Sequence, residues 1–358
     1  MKIVHTSDIH LGSKITAHLD AVRAATRRRE LQDGFARLVR QAKELSADGI
    51  IIAGDLFDED TVSRRLIEST LATVASYPEI TFFYLPGNHE GAALSECSTK
   101  LPENLRIFGE EWTSFELSGV TVAGRSTLSA DMLRTFPKSQ GRSIAVLHGE
   151  LREGKSTEKA IGTKDISASE IDYIALGHYH GYSARELGSS QAVYSGTPEG
   201  RGFDEAGECG FVLIDITERG VSHSFIPGKG RRAVIVEADI TGDRTQMDIE
   251  ATVKRALLGV SREDMVRVVL VGERDADTVR DLDSICRRFS HDYFYFEAKD
   301  KTSLFLRAED FAMDKSLVGE FVRQVISDEK LSKEERDRIL ECGLKALRGE
   351  SVFGGESK

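Results

Sequence analysis

Cysteine is scarce in this chain: there are 4 in 358 residues (Cys97, Cys209, Cys286 and Cys342), widely scattered and with no CxxC pair. That spacing excludes a small disulfide-stapled scaffold and fits a reducing compartment. Long apolar runs are missing as well. None approaches the roughly 18 residues of a membrane span, so no membrane partner is expected. Positive charge is not in excess either: 48 Lys and Arg stand against 59 Asp and Glu, a net charge of -11. This argues against a uniformly basic nucleic-acid coat while leaving room for a local basic stripe. There is no internal repeat, and no low-complexity tract beyond the Gly/Ser/Glu/Lys tail.

What is present is an ordinary globular composition, 40% hydrophobic and 30% charged, in a chain longer than one core usually organises. Strand-like runs at Lys2–Thr6, 49–53 and 80–85 alternate with helical stretches at about 19–45 and 66–76, which predicts a layered α/β fold. Further strands at 120–123, 143–147, 171–176, 192–194 and 211–216 lie too close together for helices between all of them. Part of the sheet is therefore expected to be antiparallel, and two packed sheets flanked by helices satisfy the pattern. Pro227-Gly228-Lys229-Gly230 reads as a linker. After it, strands at 233–240, 266–271 and 293–298 alternate with helices at 248–258 and 278–289 to make a smaller βαβαβ unit. Two helices follow from Lys315, the second opening on a capping box, Ser332 to Glu335.

Five of the nine histidines fall at the ends of the apolar runs beside Asp, Asn or Gly: Asp8-Ile9-His10, Gly87-Asn88-His89, His148-Gly149 and Gly177-His178-Tyr179-His180. Gly54-Asp55 adds a carboxylate after another run. Strand ends are where α/β sheets place their ligands. Hydrolysis of a phosphoester by two metals requires cations about 3.5–4 Å apart, a bridging ligand and hard oxygen or imidazole donors. The candidate inventory is Asp8, His10, Asp55, Asn88, His148, His178 and His180. It contains no thiolate, which suits manganese, iron or zinc rather than a cysteine-type structural zinc. The bland alternative is that each histidine caps or fills a core on its own.

Taken in order, these motifs resemble the calcineurin-like metallophosphoesterase superfamily over roughly residues 1 to 225. Within it, Thr6-Ser7-Asp8-Ile9-His10-Leu11-Gly12, Gly54-Asp55-Leu56-Phe57-Asp58, and Tyr194-Ser195-Gly196-Thr197-Pro198 followed by Phe203 and Glu205 are similar to the DNA double-strand-break-repair nuclease branch, which includes SbcD-like exonucleases. The resemblance implies a two-sheet metallophosphoesterase sandwich at 1–228, a capping domain at 229–303 and a C-terminal helical segment with tail at 304–358. It also implies a ligand set: Asp8, His10 and His180 for one metal, Asn88, His148 and His178 for the other, and Asp55 bridging. His89 would be the non-ligand catalytic histidine that assists the leaving oxygen. Glu90 departs from the Asp that often follows Gly-Asn-His. The implied activity is a manganese-dependent DNA exonuclease or endonuclease, with a coiled-coil ATPase of the SbcC type as partner. A hydrolase of small phosphoesters or cyclic nucleotides and a non-catalytic scaffold of the same fold are the alternatives. A cytoplasmic location is expected, since cleavage of a leader would remove Asp8 and His10.

Three features compete for a role. Residues 149 to 156, Gly-Glu-Leu-Arg-Glu-Gly-Lys-Ser, satisfy the P-loop pattern. A true P-loop requires a long helix beginning at Lys155, and Gly162 is a poor continuation. Arg23, Arg27, Arg28, Arg29, Arg37 and Arg40, with Arg64 and Arg65, form either a backbone-binding patch or a solvated helix face. The stripes Leu317, Val318, Phe321, Val322, Val325, Ile326 and Ile339, Leu340, Leu344, Leu347 either pack on their own domain or offer a groove to a partner helix. Self-association into a homodimer is a further use of that surface.

Overall fold

The computed structural model describes residues 1–13, 15, 19–58, 62–86, 100–137, 141–274, 278, 280–305 and 311–347. The chain divides into two units, Met1–Ala233 and Val234 onward. In the first, strands β1 (Lys2–Thr6), β2 (Gly49–Ala53), β3 (Thr81–Leu85), β4 (Leu105–Ile107), β5 (Thr113–Leu117), β6 (Val120–Gly124) and β7 (Arg142–His148) are followed by the short β8 (Glu150–Arg152) and β9 (Ala160–Gly162). Then come β10 (Tyr173–Gly177), β11 (Ser183–Leu187), β12 (Ser190–Tyr194), β13 (Gly210–Thr217) and β14 (Gly220–Pro227). The helices are α1 (Ala21–Glu44), α2 (Arg64–Ala75) and the short α3 (Thr163–Ser167).

Two six-stranded sheets result, in the orders β14-β13-β1-β2-β3-β4 and β11-β12-β10-β7-β6-β5. Each has four adjacent parallel strands: β1 to β4 in the first, and β12, β10, β7 and β6 in the second. Antiparallel hairpins complete them: β13–β14 on the first, β5 against β6 and β11 against β12 on the second. The β5–β6 hairpin turns on Ser118 and Gly119, both at positive φ (48° and 83°), the primed turn that suits strand twist. This is the mixed two-sheet α/β sandwich that the strand spacing predicts.

Burial on both faces explains the continuous apolar runs. Ile3, Ile51, Phe83 and Val212 of the first sheet meet Val122, Ile144, Val146 and Val193 of the second in a dry seam. On the outer face of the first sheet, Val4, Ile50, Ile52 and Phe82 pack under Phe35, Leu38 and Val39 of α1 and Ile67 and Leu71 of α2. The helical spacing of those residues sets the stripe; Asp20 starts α1 by accepting from the Val22 and Arg23 N–H groups. On the far side of the second sheet, Leu147, Ile174 and Leu176 pack with Met132, Ile161 and Ile166.

Pro227 to Gly230, which reads as a linker, lies at the end of the first unit, three residues before Ala233. Pro227 closes β14, and the Gly228 N–H donates to Cys209 C=O at 2.8 Å. The β13–β14 pairing reaches Pro227 and Gly228, and Lys229 and Gly230 then form a bend. The second unit contains β15 (Ala233–Asp239), α4 (Gln246–Ala256), β16 (Met265–Val271), β17 (Glu273–Arg274), α5 (Leu282–Phe289), β18 (Tyr295–Asp300) and β19 (Ser303–Leu304), followed by α6 (Leu317–Ser327) and α7 (Lys333–Leu347). A three-stranded sheet, β15-β16-β18, packs on α4 and α5 through Ile249, Val253, Val268 and Ile285. Val322, Leu340 and Leu344 of the last helices form a small core with Leu304. Ser332 and Glu335 exchange the two bonds of a capping box, at 2.9 and 3.2 Å.

Candidate metal centre

The carboxyl ends of four strands meet at one rim. β1 ends at Thr6 and leads into Asp8 and His10; β2 ends at Ala53 and leads into Asp55. The two loops continue side by side beyond the ladder: Asp8 N–H donates to Gly54 C=O (3.1 Å), His10 N–H to Asp55 C=O (2.9 Å) and Leu11 N–H to Leu56 C=O (2.8 Å). From the second sheet, β7 ends on His148, which lies in register with Gly177 at the end of β10, and His178 and His180 follow. Among the described residues, six non-glycines have positive φ, and four of them are Asp8, His10, Asp55 and His178. Left-handed backbone at such residues costs on the order of 1–3 kcal/mol each, so the rim holds these side chains at the expense of local comfort.

The donor atoms converge. Asp55 Oδ2 lies 3.7 Å from His10 Nε2 and 3.6 Å from His148 Nε2. Asp8 Oδ1 lies 3.6 Å from His180 Nε2. Among the described residues, two groups have ligand atoms mutually within 4.8 Å: Asp8, His10 and His180, and Asp8, Asp55 and His148. Those separations are too long for hydrogen bonds but suit ligands that share a cation. The His10 Nε2 is buried and has no hydrogen-bond partner, an orphan that a cation would satisfy. His148 Nδ1 donates to Ala53 C=O at 2.9 Å, which leaves Nε2 as a lone pair facing the site. Gly54 is required beside it, because a Cβ there would stand 2.1 Å from His148 Nδ1. The residues fit a pair of divalent cations held by oxygen and imidazole.

His178 stands outside both groups. Its ring is exposed and edge-on to His148, with centroids 5.5 Å apart, while its backbone N–H donates to both Asp8 oxygens at 3.1 and 3.0 Å. Asn88 and His89 lie outside the described residues. Burial above all, with the Arg201 charge adding to it, pulls the His10 pKa down to about 4. His180 is raised instead, chiefly because its Nδ1–H donates to Glu205 at 2.7 Å. Burial pushes the Glu205 carboxyl upward, but hydrogen bonds from His180 and Arg201 outweigh it and hold the group at about 2. Glu205 and Arg201 have no ligand role in the sequence reading. In the sequence Glu205 stands out only in the Phe203/Glu205 pattern after Pro198, and Arg201 only as a basic residue not specific enough to identify DNA.

The 194–198 motif supports His180 from inside. Ser195 and Thr197 are buried, the Ser7 and Ser195 hydroxyls meet at 3.0 Å, and the Thr197 N–H donates to His180 C=O at 3.0 Å.

The sequence profile of the calcineurin-like phosphoesterases matches residues 1–182. The chain belongs to that family. Among curated relatives of this phosphoesterase is the uncharacterized metallophosphoesterase YhaO of Bacillus subtilis, 26% identical over 63% of this chain and 60% of its own length. The DNA double-strand break repair proteins Mre11 of Methanosarcina mazei and Methanopyrus kandleri are each 24% identical, over 68% and 77% of this chain and 40% and 69% of their own lengths. The chain thus spans only 40% to 60% of the length of the first two relatives. A solved dimetal phosphatase from Danio rerio overlaps 63% of this chain and 98% of its own, at 11% identity and a TM-score of 0.42. Family membership and the two donor groups together support a metal-dependent phosphoester hydrolase.

The competing features resolve differently. No helix begins at Lys155: residues 160–162 form β9, and Ser156 N–H donates to the Asp165 carboxylate at 2.5 Å, so the P-loop pattern is accidental. The arginine patch splits. Arg27 is fully buried against Glu199 and Glu30, and Arg37 is also bonded to Glu199, whereas Arg28, Arg29 and Arg40 are exposed. No helix among the described residues is long and apolar enough to cross a membrane.

Proposed function

We propose that this phosphoesterase is a two-metal phosphodiesterase acting on DNA. The observation that carries the reading is Asp8, common to two donor groups, with Asp55 placed between His10 and His148. Two divalent cations, manganese in this proposal, would supply Lewis acidity and neutralise charge on the phosphoryl oxygens. The chain's own part is to hold them: Asp8, His10 and His180 on one side, His148 with His178 and Asn88 on the other, and Asp55 between. His89 donates a proton toward the leaving oxygen. The Mre11 relatives, whose name is that of a DNA-repair protein, favour DNA. An open groove of about 1130 Å³, lined by His148 and His178 among others, leaves room for more than a single phosphoester. A coiled-coil ATPase of the SbcC type is the proposed partner, docking on exposed Leu317, Ile339 and Leu347; a homodimer is the alternative occupant.

A second reading, a small phosphodiester as substrate, is favoured by the groove's charge: Glu111, Asp131, Glu150 and Glu158 outnumber Arg125 and Lys159. Manganese-supplemented digestion of end-labelled single- and double-stranded DNA, run beside an aryl phosphodiester, separates the two. DNA cleavage that disappears in Asp55→Asn supports the first; hydrolysis of the aryl diester with DNA left intact supports the second. Metal binding without any hydrolysis overturns both in favour of a scaffold.

A further inference from the structure

The rim of the second sheet continues beyond the candidate ligands. β10, β7 and β6 lie side by side and parallel, and His178, His148 and Arg125 occupy their carboxyl ends in that order. Gly124 pairs with Val146, and the Arg125 N–H reaches Val146 C=O at 3.4 Å. Adjacent strands are about 4.8 Å apart, so Arg125 stands one strand over from His148, on the wall of the same groove.

Arg125 is held in an unusual way. Its side chain is 4% exposed, yet the carboxylate that neutralises it, Glu111 at 3.0 Å, is 78% exposed. Among the described residues its other contacts carry no charge: Nε donates to Thr127 C=O at 2.6 Å, and the guanidinium carbon lies 5.8 Å over the Trp112 ring. Trp112 is itself pinned by Met132 C=O at 2.9 Å and by Phe136. A buried guanidinium needs a counter-charge, and a carboxylate standing mostly in water is a weakly held one. The two non-bridging oxygens of a phosphodiester can accept from arginine in a bidentate way and carry the same single negative charge as the Glu111 carboxylate.

We propose that Arg125 anchors a second phosphate of the substrate strand, and that Glu111 occupies its guanidinium until the strand arrives. This rests on the phosphodiesterase reading of the rim and adds that the substrate carries a charged phosphate beyond the one being cut. A purely structural Arg125–Glu111 pair would lose from either substitution alike. A placeholder gives opposite signs.

The probe is an end-labelled, phosphorothioate-linked oligothymidylate, which resists cleavage. It is titrated into manganese-supplied protein by fluorescence anisotropy over a series of salt concentrations. Glu111→Gln, at an exposed position, should tighten binding several-fold. Arg125→Met should weaken it about tenfold, the contribution of one charge-assisted hydrogen bond. It should also make the log–log salt slope shallower by about 0.7, one phosphate on a single strand. Unchanged or weaker binding by Glu111→Gln, an unchanged salt slope in Arg125→Met, or no binding by the wild type overturns the proposal. Hydrolysis of an aryl phosphodiester by the wild type is measured in parallel and judges the metal-centre reading separately.

Discussion

His180 faces Asp8 through Nε2 and Glu205 through Nδ1, so Glu205 fixes which nitrogen is left for a cation. Outer carboxylates of this kind contribute about 10–100-fold in metal affinity. Glu205→Gln should weaken manganese binding by that factor in a calorimetric titration, with activity recovering at higher manganese. His5 makes a different prediction. It is buried beside Tyr173, with Nδ1 and the phenol 3.0 Å apart, and burial lowers its pKa from 6.5 to about 3. Its folded form therefore stays neutral where the unfolded chain takes up a proton. The associated stability is complete above pH 6.5 and falls as pH drops toward 3, by about 1.4 kcal/mol per pH unit. Urea denaturation of metal-free protein between pH 6.5 and 4 should show a slope shallower by one proton in His5→Leu. At this scale the sequence exposes residue types and strand-end positions: Asp8, His10, Asp55, His148 and His180 do meet at one rim. It singles out Glu205 only as part of a motif, without its partner His180, and it conceals Arg125, because such partners are set by loop paths and sheet neighbours rather than by local spacing.

Helix α1 earns its place through more than its apolar stripe. Arg27, fully buried, and Arg37 grip Glu199, and Arg27 also donates to Gly200 C=O. This pins the stretch leading to Arg201 and Glu205. Glu199→Ala leaves Arg27 with Glu30 as its remaining carboxylate and removes the partner of Arg37, and should cost about 1–3 kcal/mol in urea denaturation. If Arg27 were an open nucleic-acid contact, the cost would be near zero. A charge run alone cannot distinguish these cases, since Glu199 is 172 residues away from Arg27. Strands with continuous apolar runs, β1, β2, β7 and β10, are legible because burial on both faces leaves a dense signature. Edge strand β11, Ser-Ala-Arg-Glu-Leu, is mostly exposed, and β4, β8 and β9 have three residues each. These lack the hydrophobic period that would reveal them.

At the level of the whole molecule, the second unit carries two separate cores, one under the three-stranded sheet and one joining α6 and α7 to Leu304. Much of the C-terminal apolar stripe is thus spent on its own unit, with Val322, Leu340 and Leu344 buried, while Leu317 is left 72% exposed. Deletion from Lys315 onward should retain manganese binding and aryl-diester hydrolysis, and should abolish co-purification with a coiled-coil ATPase. Calorimetry should show the loss of stability confined to the second unit; collapse of the whole chain would assign these helices to packing alone. The rim of the first unit has a consequence of its own. Asp8, His10 and Asp55 hang from one sheet, His148 and His180 from the other, and the two are joined there by a few hydrogen bonds, such as His148 to Ala53 and the His178 N–H to Asp8, besides packing in the seam. A cation held across that seam would act as a further clasp, and its rate of escape would then be tied to how often the sheets part. Loss of metal and breathing of the sandwich would then be one event observed from two sides.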